Sequence, residues 1–293
     1  MAKFILSAFA DEAGTLLCEQ IAALKRNEIN YIEPRNINGK PILTLSDEEV
    51  SELKNELDKN NIKVNSLGSP IGKYPIHEPL ENHLPDFYRA LEICKKLSTD
   101  KMRMFSFFTK QYELSECRDE VISRLTKMCE IAKEHGITLC HENESEIYGQ
   151  NPEQMLDLMT NIPDLKGIFD PANYRMNNCD VIAGIEATLV NLAYLHIKDA
   201  IYDSQIIVPA GDGEGRISEI LDIVNNSTDD IVYLTLEPHL FLFDAYKLID
   251  NHELKGKYTF TNNTESFDFA ANALKALLIK NGYKKDGNNQ WIK

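Results

Sequence analysis

A chain of 293 residues, 43% hydrophobic and 26% charged with no low-complexity tract, carries enough apolar material for a sizeable globular core. Its 31 basic and 46 acidic residues leave a formal charge of −15, which repels a phosphate backbone; no Lys/Arg run offers a basic groove, so nucleic acid is not an expected partner. The apolar stretch KFILSAFA is followed at once by Asp11 and Glu12, too short for a membrane span and without the layout of a cleavable signal.

Periodicity divides the chain into β-rich runs separated by amphipathic stretches. The runs are KFILSAF (3–9), YIEPR (31–35), KVNSLG (63–68), KMRMFSFF (101–108), GITLCHE (136–142), KGIFD (166–170), LAYLHIK (192–198) and IVYLTLE (231–237). Between the second and third, SDEEVSELKNELDKNN (46–61) has Ser46 and Glu49 at capping-box spacing and Val50, Leu53 and Leu57 on one face. CRDEVISRLTKMCEIAKEHG (117–136) is a second helix, closed by a glycine suited to a C-cap.

Eight βα repeats in one chain predict an α/β fold, a (β/α)₈ TIM barrel, because parallel strands joined by helical crossovers must be covered on the outside. Length alone would allow two domains, but no Pro/Gly/Ser-rich linker divides the chain. The expected organisation is one barrel over 1–280 and a polar C-terminal tail over 281–293. That tail is either loose or a strap docked by Trp291 on this or a neighbouring subunit, which leaves a homo-oligomer open. An open doubly wound sheet is the rival fold, weakened because FADEAG, not a GxGxxG turn, follows the first strand. GDGEG (211–215) reads as a loop leading into a helix. The cysteines Cys18, Cys94, Cys117, Cys129, Cys140 and Cys179 lack CxxC spacing and read as reduced thiols of a cytoplasmic protein, Cys140 as core.

In such a barrel, chemistry collects where strands end. The fifth strand ends in Glu142, the sixth in Asp170, the seventh carries His196, and the eighth ends in Glu237. Their spacings of 28, 26 and 41 residues each fit one βα repeat. An isolated strand-end carboxylate is ordinarily a helix cap or a solvated rim charge, and a lone histidine in a strand is ordinarily core. Coincidence on four successive strands reverses that reading. Three carboxylates and an imidazole suit one divalent cation such as Mn²⁺, Co²⁺, Zn²⁺ or Mg²⁺; without a cation at least one carboxylate would stay protonated. A second polar ring, Arg35, Lys73, Lys198 and His239, is placed to hold hydroxyls or an anionic group, and alternation puts Lys198 on the His196 side of its strand. Glu12 and Glu144 are further polar neighbours of the same column, whereas alternation turns His141 away from the barrel interior.

The motifs HENE, FDPANY, LHIKDA and LEPH, within a match from FADEAG to LEPHL, resemble the xylose isomerase-like TIM-barrel superfamily, which includes ketose 3-epimerases, hydroxypyruvate isomerase, inosose dehydratase and endonuclease IV. The resemblance implies that Glu142, Asp170, His196 and Glu237 hold the metal and that Glu142 and Glu237 exchange a proton with the substrate carbon. Two departures qualify it. Asn173 stands where endonuclease IV has a metal histidine and the epimerases a substrate-contacting one, and HIKDAIYDSQ lacks the epimerases' arginine, a role open to Lys198. The expected function is a metal-dependent isomerase or epimerase of a small sugar or other small polyhydroxy carbonyl compound. The alternatives are a lyase dehydrating a keto-inositol or sugar acid, and a non-catalytic sugar-binding barrel.

Overall fold

All eight expected strands form: β1 (Lys3–Ala8), β2 (Tyr31–Ile32), β3 (Lys63–Val64), β4 (Lys101–Met104), β5 (Thr138–Glu142), β6 (Lys166–Phe169), β7 (Leu192–Ile197) and β8 (Ile231–Leu236). The computed structural model describes residues 1–109, 112–241 and 258–293. A parallel ladder runs β4–β5–β6–β7–β8–β1. The ring continues where Glu33 N–H donates to Ala8 O (3.0 Å), through the β2–β3 ladder, and where Arg103 N–H donates to Leu67 O (2.9 Å). The fold is a (β/α)₈ barrel.

Helices α1 (Leu17–Arg26), α2 (Asp47–Lys59), α3 (Leu84–Leu97), α4 (Leu114–Glu134), α5 (Pro152–Asn161), α6 (Pro171–Met176), α7 (Val181–Leu189), α8 (Ile217–Ser227) and α9 (Asn263–Lys280) occupy the crossovers and the C-terminal side. The capping box at α2 forms as its spacing predicts: Ser46 Oγ accepts from Glu49 N–H at 3.2 Å and Glu49 Oε2 accepts from Ser46 N–H at 2.9 Å. Such a cap is worth about 1 kcal/mol.

Strand alternation separates two apolar layers. Cys140, Ile168 and Tyr194 share one buried cluster. Their odd-phase neighbours Leu139, Phe169 and Leu195 join the larger core with the helices. His141 is fully buried in this outer phase, against Gly149 and not in the mouth.

The second, third and fourth strands are shorter than the runs 31–35, 63–68 and 101–108 suggest. Pro34 has no N–H to continue β2, and the chain turns into a small hairpin of Asn36–Ile37 with Lys40–Pro41. Beyond β4, Phe105 N–H donates to Ile71 O (2.8 Å) and Phe107 N–H to Gly72 O (3.0 Å), so the loop after β3 takes the bonds a strand would have used. Gly72 makes this possible: its φ is +87°, and a Cβ there would lie 1.9 Å from Phe105 O. Its N–H donates to His83 Nε2 at 2.9 Å, which requires that nitrogen to be unprotonated.

Gly72→Ala is therefore expected to destabilise the protein by about 3 kcal/mol or more in urea denaturation, since both backbone strain and overlap must be relieved. Burial also lowers the pKa of His83 from its ordinary 6.5. A base with a depressed folded pKa stabilises fully above the unfolded value, so this contribution should be lost as pH falls below about 6.5.

The C-terminal residues fold back on their own barrel. Trp291 is buried and pairs antiparallel with Phe4, Lys284–Lys285 pairs with Trp291–Ile292, and Tyr283 OH donates to Leu221 O at 3.1 Å. No helix among the described residues is long and apolar enough to cross a membrane.

Candidate metal centre at the strand ends

Barrel closure brings the four strand-end residues together. Glu142, Asp170, His196 and Glu237 are all buried, and one donor atom from each lies within 4.8 Å of the others. The register explains the convergence. Thr235 pairs with His196 and Leu236 with Ile197, so Glu237, one residue on, stands beside Lys198, and its N–H donates to Ile197 O at 3.1 Å. His196 Nδ1 lies 2.8 Å from Glu142 Oε1 and 3.4 Å from Glu237 Oε2. Lys198 Nζ lies 2.8 Å from Asp170 Oδ2 and 3.6 Å from Glu237 Oε2.

Each glutamate is held at its other oxygen by an arginine. Arg35 Nη1 donates to Glu237 Oε1 at 3.0 Å, and Arg103 Nη1 donates to Glu142 Oε2 at 3.2 Å. The two guanidiniums lie 4.4 and 4.9 Å from the Phe9 ring centre, which also meets the His196 ring edge-on at 5.1 Å. Arg35 is fixed further by Asp11, which accepts from Nε (3.0 Å) and Nη2 (3.1 Å), and by Glu12 at 3.4 Å. Asp170 is set by Asn143, whose Oδ1 accepts from Asp170 N–H (2.8 Å) while its Nδ2 donates to Asp170 O (2.9 Å).

The outer polar residues divide by what they touch. His239 Nε2 is 3.3 Å from both Glu12 Oε1 and Glu237 Oε1, beside Arg35, which already supplies positive charge there. Lys73 pairs with Glu144 at 3.3 Å and lies over the Phe105 ring, at the rim and apart from the four-residue cluster. Asn173 is buried, with its Nδ2 donating to Asn143 O (2.8 Å) and its N–H to Asp170 Oδ1 (3.0 Å). Its amide nitrogen thus braces the β5 and β6 ends. The GDGEG loop has no free cradle: the N–H groups of Gly211, Gly213 and Gly215 all donate to the Asp199 carboxylate.

Arg103, Asn143 and Glu33 are absent from the strand-end candidates. The available signal was the same one that marks Glu142, a charge inside a strand-type run, in KMRMF and YIEPR. Glu33 is completely buried; its Oε1 accepts from Tyr194 OH at 2.8 Å, and its Oε2 is 3.4 Å from His196 Nε2.

The electrostatics favour an added cation. Six buried carboxylates, Asp11, Glu12, Glu33, Glu142, Asp170 and Glu237, face three buried fixed cations, Arg35, Arg103 and Lys198. Burial by itself favours the protonated form of Glu142, Asp170 and Glu237. At Glu142 this is outweighed by His196 and Arg103, which bring it to about 2. At Glu237 it is outweighed by Lys198, His196 and His239, which hold it well below the usual range. At Asp170 burial wins over Lys198, reinforced by Glu237 and Glu142, and the carboxyl is pushed up to about 7. Asp170 Oδ2 and Glu237 Oε2 are buried without a hydrogen bond of good geometry, although Lys198 is near both. Unsatisfied carboxylate oxygens, a histidine nitrogen and surplus negative charge fit a divalent cation.

A family model described as a xylose isomerase-like TIM barrel matches residues 21–248. No curated protein matches the chain in sequence. Similar solved structures include an IOLI protein with a binding zinc atom (16% identity, TM-score 0.74, 95% of this chain and 98% of that one). Another is D-psicose 3-epimerase with D-tagatose from Clostridium cellulolyticum H10 (15%, 0.67, 93% and 98%). A third is the probable 3-DHS dehydratase AsbF involved in petrobactin synthesis, from Bacillus anthracis (13%, 0.69, 94% and 99%). At these identities the likeness establishes the fold.

Proposed function

Because the chain belongs to the xylose isomerase-like TIM-barrel family, we propose that it is a metal-dependent isomerase or epimerase of a small polyhydroxy carbonyl compound. The observation that carries this reading is the convergence of Glu142, Asp170, His196 and Glu237 within 4.8 Å, with each glutamate clamped by an arginine at one oxygen. Those four residues would hold one divalent ion, with zinc, magnesium, manganese and cobalt all compatible with the donor set. When bound, such an ion stabilises negative charge developing on the substrate's carbonyl oxygen.

The remaining work falls to side chains. One of Glu142 and Glu237 removes the proton on the carbon beside the carbonyl, and the other returns a proton to that carbon from the opposite face or to its neighbour. Arg35 and Arg103 keep both carboxylates ionised and aimed inward. Lys198 and His239, 3.6 and 3.3 Å from Glu237, would offer donors to substrate hydroxyls or a carboxylate; Arg35, Lys73 and Asn173 would act more as supports.

The test is incubation of the metal-loaded protein with ketoses, keto-inositols and sugar acids in D₂O. Isomerisation or epimerisation puts deuterium on the carbon beside the carbonyl and gives a product isomeric with the substrate. A dehydratase is the second reading, favoured by the Lys198 ammonium beside Asp170 and Glu237, since an ammonium there can protonate a departing hydroxide. It gives a product lighter by one water. Sugar binding with neither exchange nor product would leave a binding barrel.

A further inference from the structure

The Glu33 carboxylate has no task in that chemistry, yet it is completely buried inside the barrel. A buried carboxylate without a partner is strongly destabilising, so its contacts matter. Among the described residues no lysine or arginine pairs with it; its contacts are Tyr194 OH at 2.8 Å on Oε1 and His196 Nε2 at 3.4 Å on Oε2. Glu33 Oε2 and His196 Nε2 are both buried, lack any other hydrogen-bond partner among the described residues, and lie 3.4 Å apart. The opposite ring nitrogen, Nδ1, points at Glu142 Oε1 and Glu237 Oε2. Phe9 and Tyr194 pack on the ring at 5.1 and 5.6 Å, so it cannot readily turn over.

We infer that Glu33, held by Tyr194, is a positioning residue that keeps the His196 proton on Nε2 and thereby presents the Nδ1 lone pair to the metal. A histidine ligand whose other nitrogen donates to a carboxylate is fixed in tautomer and orientation and is a better donor. Glu33 touches neither metal nor substrate, and its effect runs through the imidazole. The inference rests on the metal-site reading above.

The experiment measures Zn²⁺ affinity by competition with a chromophoric chelator for the wild-type protein, Glu33→Gln, Glu33→Met and Tyr194→Phe, with folding followed by circular dichroism. Glutamine keeps an acceptor for Nε2–H but not the charge, whereas methionine keeps neither. Affinity is expected to fall in the order wild type, Glu33→Gln, Glu33→Met, with the methionine variant about 10- to 100-fold weaker. Tyr194→Phe should lose less than Glu33→Met. ¹⁵N spectra of the zinc-loaded wild type should show His196 protonated at Nε2. Wild-type affinity in a folded Glu33→Met would overturn the inference while leaving the metal site intact. So would wild-type affinity in Glu33→Gln if Glu33→Met fails to fold. A wild-type protein that binds no divalent metal overturns the metal-site reading, and this inference with it.

Discussion

Glu237→Gln is expected to reduce turnover by about 10²- to 10⁴-fold on the substrate that deuterium exchange identifies, with the variant still folded. Glutamine has the same shape, and its carbonyl can still accept from Arg35 at the position of Oε1, 3.0 Å away in the native site. Two properties are lost together. An amide does not take up a proton at neutral pH, and the negative charge that Oε2 directs toward His196 and Lys198 disappears. Glu142→Gln should behave similarly, because its Oε1 faces His196 and its Oε2 is clamped by Arg103. Single-turnover rates at saturating metal would separate loss of the proton carrier from loss of the ion. Undiminished activity in both variants would remove these residues from the mechanism.

Arg35→Ala is expected to destabilise the protein by about 3–5 kcal/mol, read by urea denaturation, because it leaves buried carboxylates without their counter-charge. Burial works against the charge on Arg35, but Asp11, Glu237 and Glu12 outweigh it and hold its pKa above the ordinary value. Removing the guanidinium exposes those three groups to each other. Asn36 still donates to Asp11 at 2.8 Å, His239 N–H to Glu12 at 2.7 Å, and Lys198 still lies 3.6 Å from Glu237, which together offset only part of the lost charge and hydrogen bonds. Glu12 is already raised well above the usual range, by burial first and despite Arg35. In the variant its pKa rises further, so the folded state gains protons as pH falls; the destabilisation should be larger at pH 8 than at pH 5. The comparison is Arg26→Ala, which breaks the half-exposed pair with Asp268 and should cost about 0–1 kcal/mol. Equal effects at the two arginines would show that the Arg35 network contributes no more than a surface pair.

Asp170 and Asn173 illustrate how a local motif can be read from sequence and still have its role set by folding. FDPANY announces a strand that ends in a carboxylate before a helix, and Asp170 is indeed the N-cap of α6, accepting from Asn173 N–H. The ordinary reading of a strand-end Asp as a cap and the functional reading as a ligand therefore coexist, because Oδ1 does the capping while Oδ2 faces the cluster. The two-residue β2 and β3 and the shortened β4 were harder to read. Pro34 ends β2, and beyond β4 the Phe105 and Phe107 N–H groups are claimed by the loop after β3, a competition that depends on Gly72 lying against Phe105.

By itself the sequence determined the eight strands, their order and the column of Glu142, Asp170, His196 and Glu237, because side-chain alternation and the βα repeat are local properties of the chain. Only the tertiary structure decided that Arg35 clamps Glu237, 202 residues away, and that Glu33 and Tyr194, 161 residues apart, stand behind His196. Those partners meet because the barrel closes and brings β2 across from β7 and β8. Closure is set by strand register around the whole ring, and no spacing within one repeat encodes which distant side chain will fill the space behind a buried charge.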